Sequence, residues 1–145
     1  MIDPSRRPAL HEAIALLYFG YRAFTDGPDR ILERRGLGRV HHRILYFVGR
    51  EPGLSVKRLL EILAVSKQAL NAPLRQLLEM NLIAASTHSA DRRIKVLTLT
   101  GAGARLETDL TDTQMTLIAA AFDAAGEAKS ESWRDVMNRL ASPNP

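Results

Sequence analysis

The stretch Leu63-Ala64-Val65-Ser66-Lys67-Gln68-Ala69-Leu70-Asn71-Ala72-Pro73-Leu74-Arg75-Gln76-Leu77-Leu78-Glu79 decides the fold. Ala64-Val65-Ser66 breaks the apolar period, and Ser66 is a hydroxyl side chain suited to cap the helix that restarts at Lys67. From there Leu70, Leu74, Leu77 and Leu78 recur at i, i+4, i+7 and i+8, the spacing of a buried helical stripe. Lys67, Asn71 and Arg75 share the opposite face, with Gln68 beside them, and such side chains reach phosphates and base edges. Immediately upstream, Ser55 can cap a helix over 56–63 whose inward side is Leu59, Leu60 and Leu63. Two helices across a tight break, the second with a donor-rich face, make a helix-turn-helix pattern.

Downstream of Asn81 the period changes. Leu82–His88 and Ile94–Thr100 are rich in Ile, Val, Leu and Thr and predict a two-stranded hairpin with Ser89-Ala90-Asp91-Arg92-Arg93 at its tip. A hairpin in this place reads as a wing, and arginine at its tip suits the negative potential of a narrow minor groove; the plainer reading is a solvated turn. Thr100 then caps a long helix striped by Leu106, Leu110, Thr113, Leu117, Ala121 and Phe122. Gly126 ends it, and a last helix carries Trp133, Val136, Met137 and Leu140. On the upstream side, Val40–Arg50 predicts a helix with Ile44, Leu45, Phe47 and Val48 inward. Pro8 opens a long first helix that the turn signal Asp26-Gly27-Pro28-Asp29 is expected to end, leaving a short helical stretch over Arg30–Arg35. The fold class is therefore mainly α with a small β wing. The end helices carry more apolar surface than one small winged lobe needs, and a second copy of the chain is the economical cover. The tail Ser142-Pro143-Asn144-Pro145 is expected to fray.

Charge agrees with this layout. Between Arg30 and Thr100 thirteen lysines and arginines face five aspartates and glutamates, while the segments before and after are mildly acidic. A basic centre between acidic ends is an electrostatic footprint for a polyanion, although charge alone fits a solvated basic surface equally well. The chain has 145 residues, one domain's worth, with an ordinary soluble composition of 46% hydrophobic and 25% charged residues. Its apolar run near the start, Ala13–Phe19, is seven residues long, whereas a bilayer needs about 20. The absence of cysteine removes disulfides, thiolate metal sites and thiol redox sensing, and fits a reducing cytoplasm.

The segments Gly53-Leu54-Ser55, Leu63–Gln68, Asn81-Leu82-Ile83 and Asp91-Arg92-Arg93-Ile94-Lys95-Val96-Leu97-Thr98-Leu99-Thr100-Gly101-Ala102-Gly103 together resemble the MarR family of multiple-antibiotic-resistance-type regulators. The resemblance covers roughly residues 36–103. It implies an obligate homodimer with two winged lobes on a pseudo-palindromic promoter site, and a small ligand cavity between dimer helices and lobe, often for aromatic acids. It implies that Ser66, Lys67, Gln68, Asn71 and Arg75 lie on the recognition helix and Arg92 and Arg93 on the wing. By the same resemblance Asp91 orients a wing arginine and Lys95 lies along the phosphates. Three positions depart from the pattern: Pro73 inside the recognition helix, Ala64 where glycine is usual in the turn, and Ala72 where many relatives have arginine.

Sharper readings elsewhere give way to plainer ones. Gly101-Ala102-Gly103 follows a strand and precedes a helix, but Leu106 stands at the third glycine position of a dinucleotide loop. His41 and His42 are adjacent and point about 100° apart on a helix, which favours structural roles over a metal site. Tyr18, Tyr21, Phe24 and Tyr46 read as core, with a ligand pocket as the alternative. No triad, carboxylate pair or phosphate loop appears, so no enzyme, cofactor or metal is expected.

The expectation is a single domain over 1–145: helical dimerisation regions at 1–29 and 104–145, and a winged DNA-binding lobe at 36–103. It would act in the bacterial cytoplasm as a homodimeric, sequence-specific regulator, a repressor, on double-stranded DNA. Release by a small aromatic effector is expected, with its binding residues unknown. The competing readings are a winged-helix protein–protein adaptor and a nonspecific architectural DNA binder.

Overall fold

A computed structural model describes residues 1–142, so the tail from Pro143 lies outside the described residues. Helices α1 (Arg7–Glu33) and α2 (Arg39–Arg50) lead into a short strand β1 (Leu54–Ser55) and helices α3 (Val56–Leu63) and α4 (Lys67–Glu79). Strands β2 (Ile83–Thr87) and β3 (Lys95–Leu99) follow, then helices α5 (Gly101–Ala125) and α6 (Glu127–Ala141). The class is mainly α with a small antiparallel sheet, as the periodicities predict.

The helix starts follow from single side chains. Ser55 accepts from the Arg58 amide at 3.0 Å, Ser66 from Ala69 at 3.1 Å and Thr100 from Gly103 at 3.0 Å, each satisfying a donor the first helical turn cannot. The stops of α3 and α4 share another device. Ala64 and Asn81 are left-handed, at φ 53° and 59°. Past Ala64, Val65 donates back to the Leu60 carbonyl at 3.4 Å, and past Asn81, Leu82 donates to that of Leu77 at 3.0 Å. Ala64 therefore does adopt the conformation for which glycine is usual. The break it makes sets α4 at a new angle to α3.

Leu59, Leu70 and Leu77 meet Ile44, Leu45 and Val48 of α2 and Leu97 of β3 in one buried core that Leu106 and Leu110 close from α5. α4 runs unbroken through Pro73. The predicted hairpin is present with its strand ends one residue shorter than expected, and it gains a third strand. Leu54 pairs with Leu97 and Ser55 with Val96, so the order is β1-β3-β2. Two residues are too few to show a period of two, so β1 leaves no signal in the sequence. At the corner into α5, any Cβ on Gly103 would overlap the Leu82 carbonyl oxygen, so the wing's base and α5 touch backbone to backbone.

The expected end of the first helix at Asp26-Gly27-Pro28-Asp29 is corrected. α1 continues through it to Glu33, absorbing the stretch read as a separate helix. Pro28 supplies no amide for the Phe24 carbonyl four residues back; Gln114 of α5 donates its side-chain amide to that oxygen at 3.3 Å. Gly27 meanwhile faces Thr113, whose Cβ would lie 2.9 Å from a Cβ at that position. The four-residue segment that reads as a turn is thus the crossing point of α1 and α5, where proline's missing bond is made good from the neighbouring helix. The aromatic residues are also corrected. Tyr18 is 58% exposed, and Phe24 and Tyr46 border a cavity rather than fill a core.

Candidate functional site

One surface collects the predicted nucleic-acid residues. Lys67, Gln68, Asn71 and Arg75 all lie exposed along α4, with the small Ala69 and Ala72 also at the surface. The leucines opposite them, Leu70 and Leu77, are buried and Leu74 and Leu78 half-buried, so packing fixes which face of α4 looks outward. Ser66 is exposed and spends its hydroxyl acceptor on the cap, which places it at the helix start.

At the wing tip Asp91 holds Arg93 by three bonds. The Arg93 backbone amide and Nε donate to Oδ1 at 3.0 and 3.1 Å, and Nη2 donates to Oδ2 at 2.9 Å. Those bonds keep the Asp91 carboxyl below its usual range, first through the guanidinium and next through the amide. The arginine oriented by Asp91 is therefore Arg93. Arg92 is exposed and has no ion pair among the described residues, and Lys95 opens β3 at the surface opposite Thr87. His88 steadies the tip from the other strand, its amide donating to the Ile94 carbonyl at 2.8 Å.

Behind this surface, a cavity of about 370 Å³ opens between α1, α2 and α5. Phe24, Pro28, Phe47, Met115 and Ile118 give it apolar walls, and Tyr21, Tyr46, Arg39, His42 and Arg43 give it polar groups. Tyr21, Phe24 and Tyr46 of the aromatic quartet reach it; Tyr18 does not. The two arginines differ in charge balance. Arg39 is paired with Asp29, Nη2 to Oδ2 at 2.8 Å, whereas Arg43 donates to the Tyr21 hydroxyl at 3.0 Å and has no carboxylate partner among the described residues. Burial, and then Arg43 beside it, holds His42 below the ordinary imidazole range, against a smaller opposing pull from Asp29. His42 leads inward: its Nε2 lies 3.4 Å from the Thr111 hydroxyl, which donates to the buried Glu107 at 3.1 Å. Arg50 reaches the same carboxylate from the surface at 3.3 Å. Sequence reasoning misses Arg39, Arg43 and Thr111 and reads His42 as structural, because the wall exists only where α2 packs against α1 and α5.

Comparison with known proteins fits this geometry. The family model described as MarR family matches residues 35–94, which run from the start of the α1–α2 loop to the wing tip. Over 134 residues the chain is 40% identical to the HTH-type transcriptional regulator PetP of Rhodobacter capsulatus, covering 92% of this chain and 81% of PetP. The chain belongs to the MarR family. It is a MarR-family transcription regulator, and the members of this family are not enzymes. Solved MarR-like structures share the fold at lower identity. A MarR family transcription regulator matches with a TM-score of 0.77 at 20% identity, over 94% of this chain and 91% of its own. NadR in complex with 4-hydroxyphenylacetate matches at 0.74 and 20% identity, over 88% and 91%. A Staphylococcus aureus MepR mutant bound to an oligodeoxyribonucleotide matches at 0.62 and 18% identity, over 89% and 95%. Among the described residues no three His, Cys, Asp or Glu side chains group as a metal site, and no helix is long and apolar enough to cross a membrane.

Proposed function

We propose that this chain is a cytoplasmic bacterial repressor that binds a pseudo-palindromic promoter site as a homodimer. The observation that carries the reading is the exposed Lys67, Gln68, Asn71, Arg75 face of α4, set beside a wing whose Arg93 is held by Asp91. In this reading Ser66–Arg75 enter the major groove, Arg92 and Arg93 enter the flanking minor groove, and Lys95 meets phosphate. The lobe is residues 36–103. The pairing surface is built from residues 1–29 and 104–145, where Ile14, Leu17 and Phe19 of α1 and Trp133, Val136 and Leu140 of α6 lie exposed in the single chain. Apolar side chains of that size, gathered on the terminal helices, are what a second copy would cover.

The cavity is the proposed effector site. Its apolar walls and Arg43, which has no carboxylate partner among the described residues, suit a small aromatic molecule with one negative charge, and the NadR structure holds 4-hydroxyphenylacetate in a related fold. An occupant touching α2 and α5 together would bias the spacing of the two lobes and so the affinity for a fixed half-site separation. The test is selection of random duplexes by the purified protein, with sedimentation of the complex. Two protomers on one duplex, with half-sites about one helical turn apart, are expected. A monomer on DNA, or a selected pool without symmetry, would remove the homodimer reading.

A further inference from the structure

His41 is a buried histidine that neither the cavity nor the wing uses, on the side of α2 that faces α4. Its Nδ1 accepts from the Gly38 amide at 2.9 Å, so the ring hydrogen sits on Nε2. That Nε2 lies 2.9 Å from Oε1 of Gln76 and donates to it. The Gln76 amide is thereby oriented, and its nitrogen donates to the Gly36 carbonyl at 3.2 Å. One tautomer and one amide orientation satisfy all three bonds, tying α4 to the α1–α2 loop at Gly36 and to α2 at His41.

The position of this tie matters because of Pro73. Proline removes one backbone bond from the interior of α4, so the turn after it is less firmly held by the turn before. Gln76 is in that following turn, next to Arg75. We propose that His41 and Gln76 form a clasp that positions the second half of α4, and with it Arg75, for sequence discrimination on DNA. The inference rests on the reading of α4 as the helix that meets DNA. Both residues act through the pose of α4 and are positioning residues, since His41 is buried away from the exposed face.

The test compares wild type, His41→Phe, Gln76→Met and the double variant on a duplex selected by the wild-type protein and on a scrambled duplex of the same composition. Phe and Met keep the bulk and remove the bonds. Each single variant is expected to lower the selected-to-scrambled affinity ratio about tenfold, chiefly through the selected duplex, while scrambled binding changes less than about twofold. The double variant is expected to be no worse than the poorer single one, because either change already opens the clasp. A merely structural role would move the melting temperature and leave the ratio alone. If His41→Phe does not fold, Gln76→Met decides, because Gln76 is only half-buried. Folded variants with an unchanged ratio, or losses that multiply in the double variant, would overturn the clasp. A wild-type protein that binds no duplex would overturn the DNA reading of α4 first and the clasp with it.

Discussion

Replacing Gln114 by leucine tests how α1 crosses Pro28 without stopping. In the wild-type chain the Phe24 carbonyl has no amide from position 28 and takes a hydrogen bond from the Gln114 side chain instead. Gln114→Leu leaves that part-buried oxygen unpaired, a loss of about 1–2 kcal/mol. In a Pro28→Ala background the amide of residue 28 can bond Phe24 itself, and Gln114→Leu then costs close to nothing. The coupling between the two sites is therefore about 1–2 kcal/mol, well above the few tenths by which independent sites deviate from additivity. Any difference in how leucine packs on the cavity wall is common to both backgrounds and cancels in the cycle. Denaturant unfolding followed by far-UV circular dichroism gives the four stabilities, at one protein concentration so that any association contributes equally to all four. Equal costs of Gln114→Leu in both backgrounds would refute the substitution of a side-chain donor for the missing amide.

Three further outcomes follow from single sites. Ala64→Gly should stabilise the chain by about 1 kcal/mol, since the residue is left-handed at φ 53°, ψ 43° and glycine adopts that conformation without strain; lower stability in the same unfolding assay would contradict it. Gly103→Ala should cost about 2–3 kcal/mol, because the added Cβ meets the Leu82 carbonyl oxygen and neither backbone can yield cheaply, and a melting temperature within a degree of wild type would show that the corner relaxes. His42 is held neutral by burial, so the unfolded chain binds its proton first as pH falls. Stability should accordingly decline from about pH 6.5 downward until the folded imidazole also protonates, and His42→Gln should flatten that decline. An unchanged pH slope in the variant would assign it to other groups.

Much of this fold is legible along the sequence because its signals are local. Ser55, Ser66 and Thr100 are caps that work within three residues, and the Leu70, Leu74, Leu77, Leu78 spacing identifies the buried face of α4 without reference to any partner element. What escapes is decided between segments. Asp26-Gly27-Pro28-Asp29 has the composition of a turn, and only Gln114 and Thr113, about ninety residues away along the chain, make it a helix crossing. Strand β1 exists because Leu97 presents a pairing edge to Leu54, not because two residues favour a strand. The cavity and the His41–Gln76 clasp likewise join residues from separate helices. The adjacent histidines on α2 face different partners, Gln76 of α4 and Thr111 of α5, as a 100° step along a helix requires.

The central claim, sequence-specific DNA binding by the basic lobe, is tested most directly by a salt titration. Affinity is measured by fluorescence anisotropy for selected and scrambled duplexes over a range of KCl concentrations, with wild type, Arg92→Ala and Arg93→Ala. Wild type should prefer the selected duplex and show a steep negative slope of log K against log salt. Each arginine variant should flatten that slope by about 0.9 for every phosphate that the removed guanidinium neutralises. Equal affinity for both duplexes would replace a specific regulator by a nonspecific DNA binder, and no binding even at low salt would contradict the account at its centre.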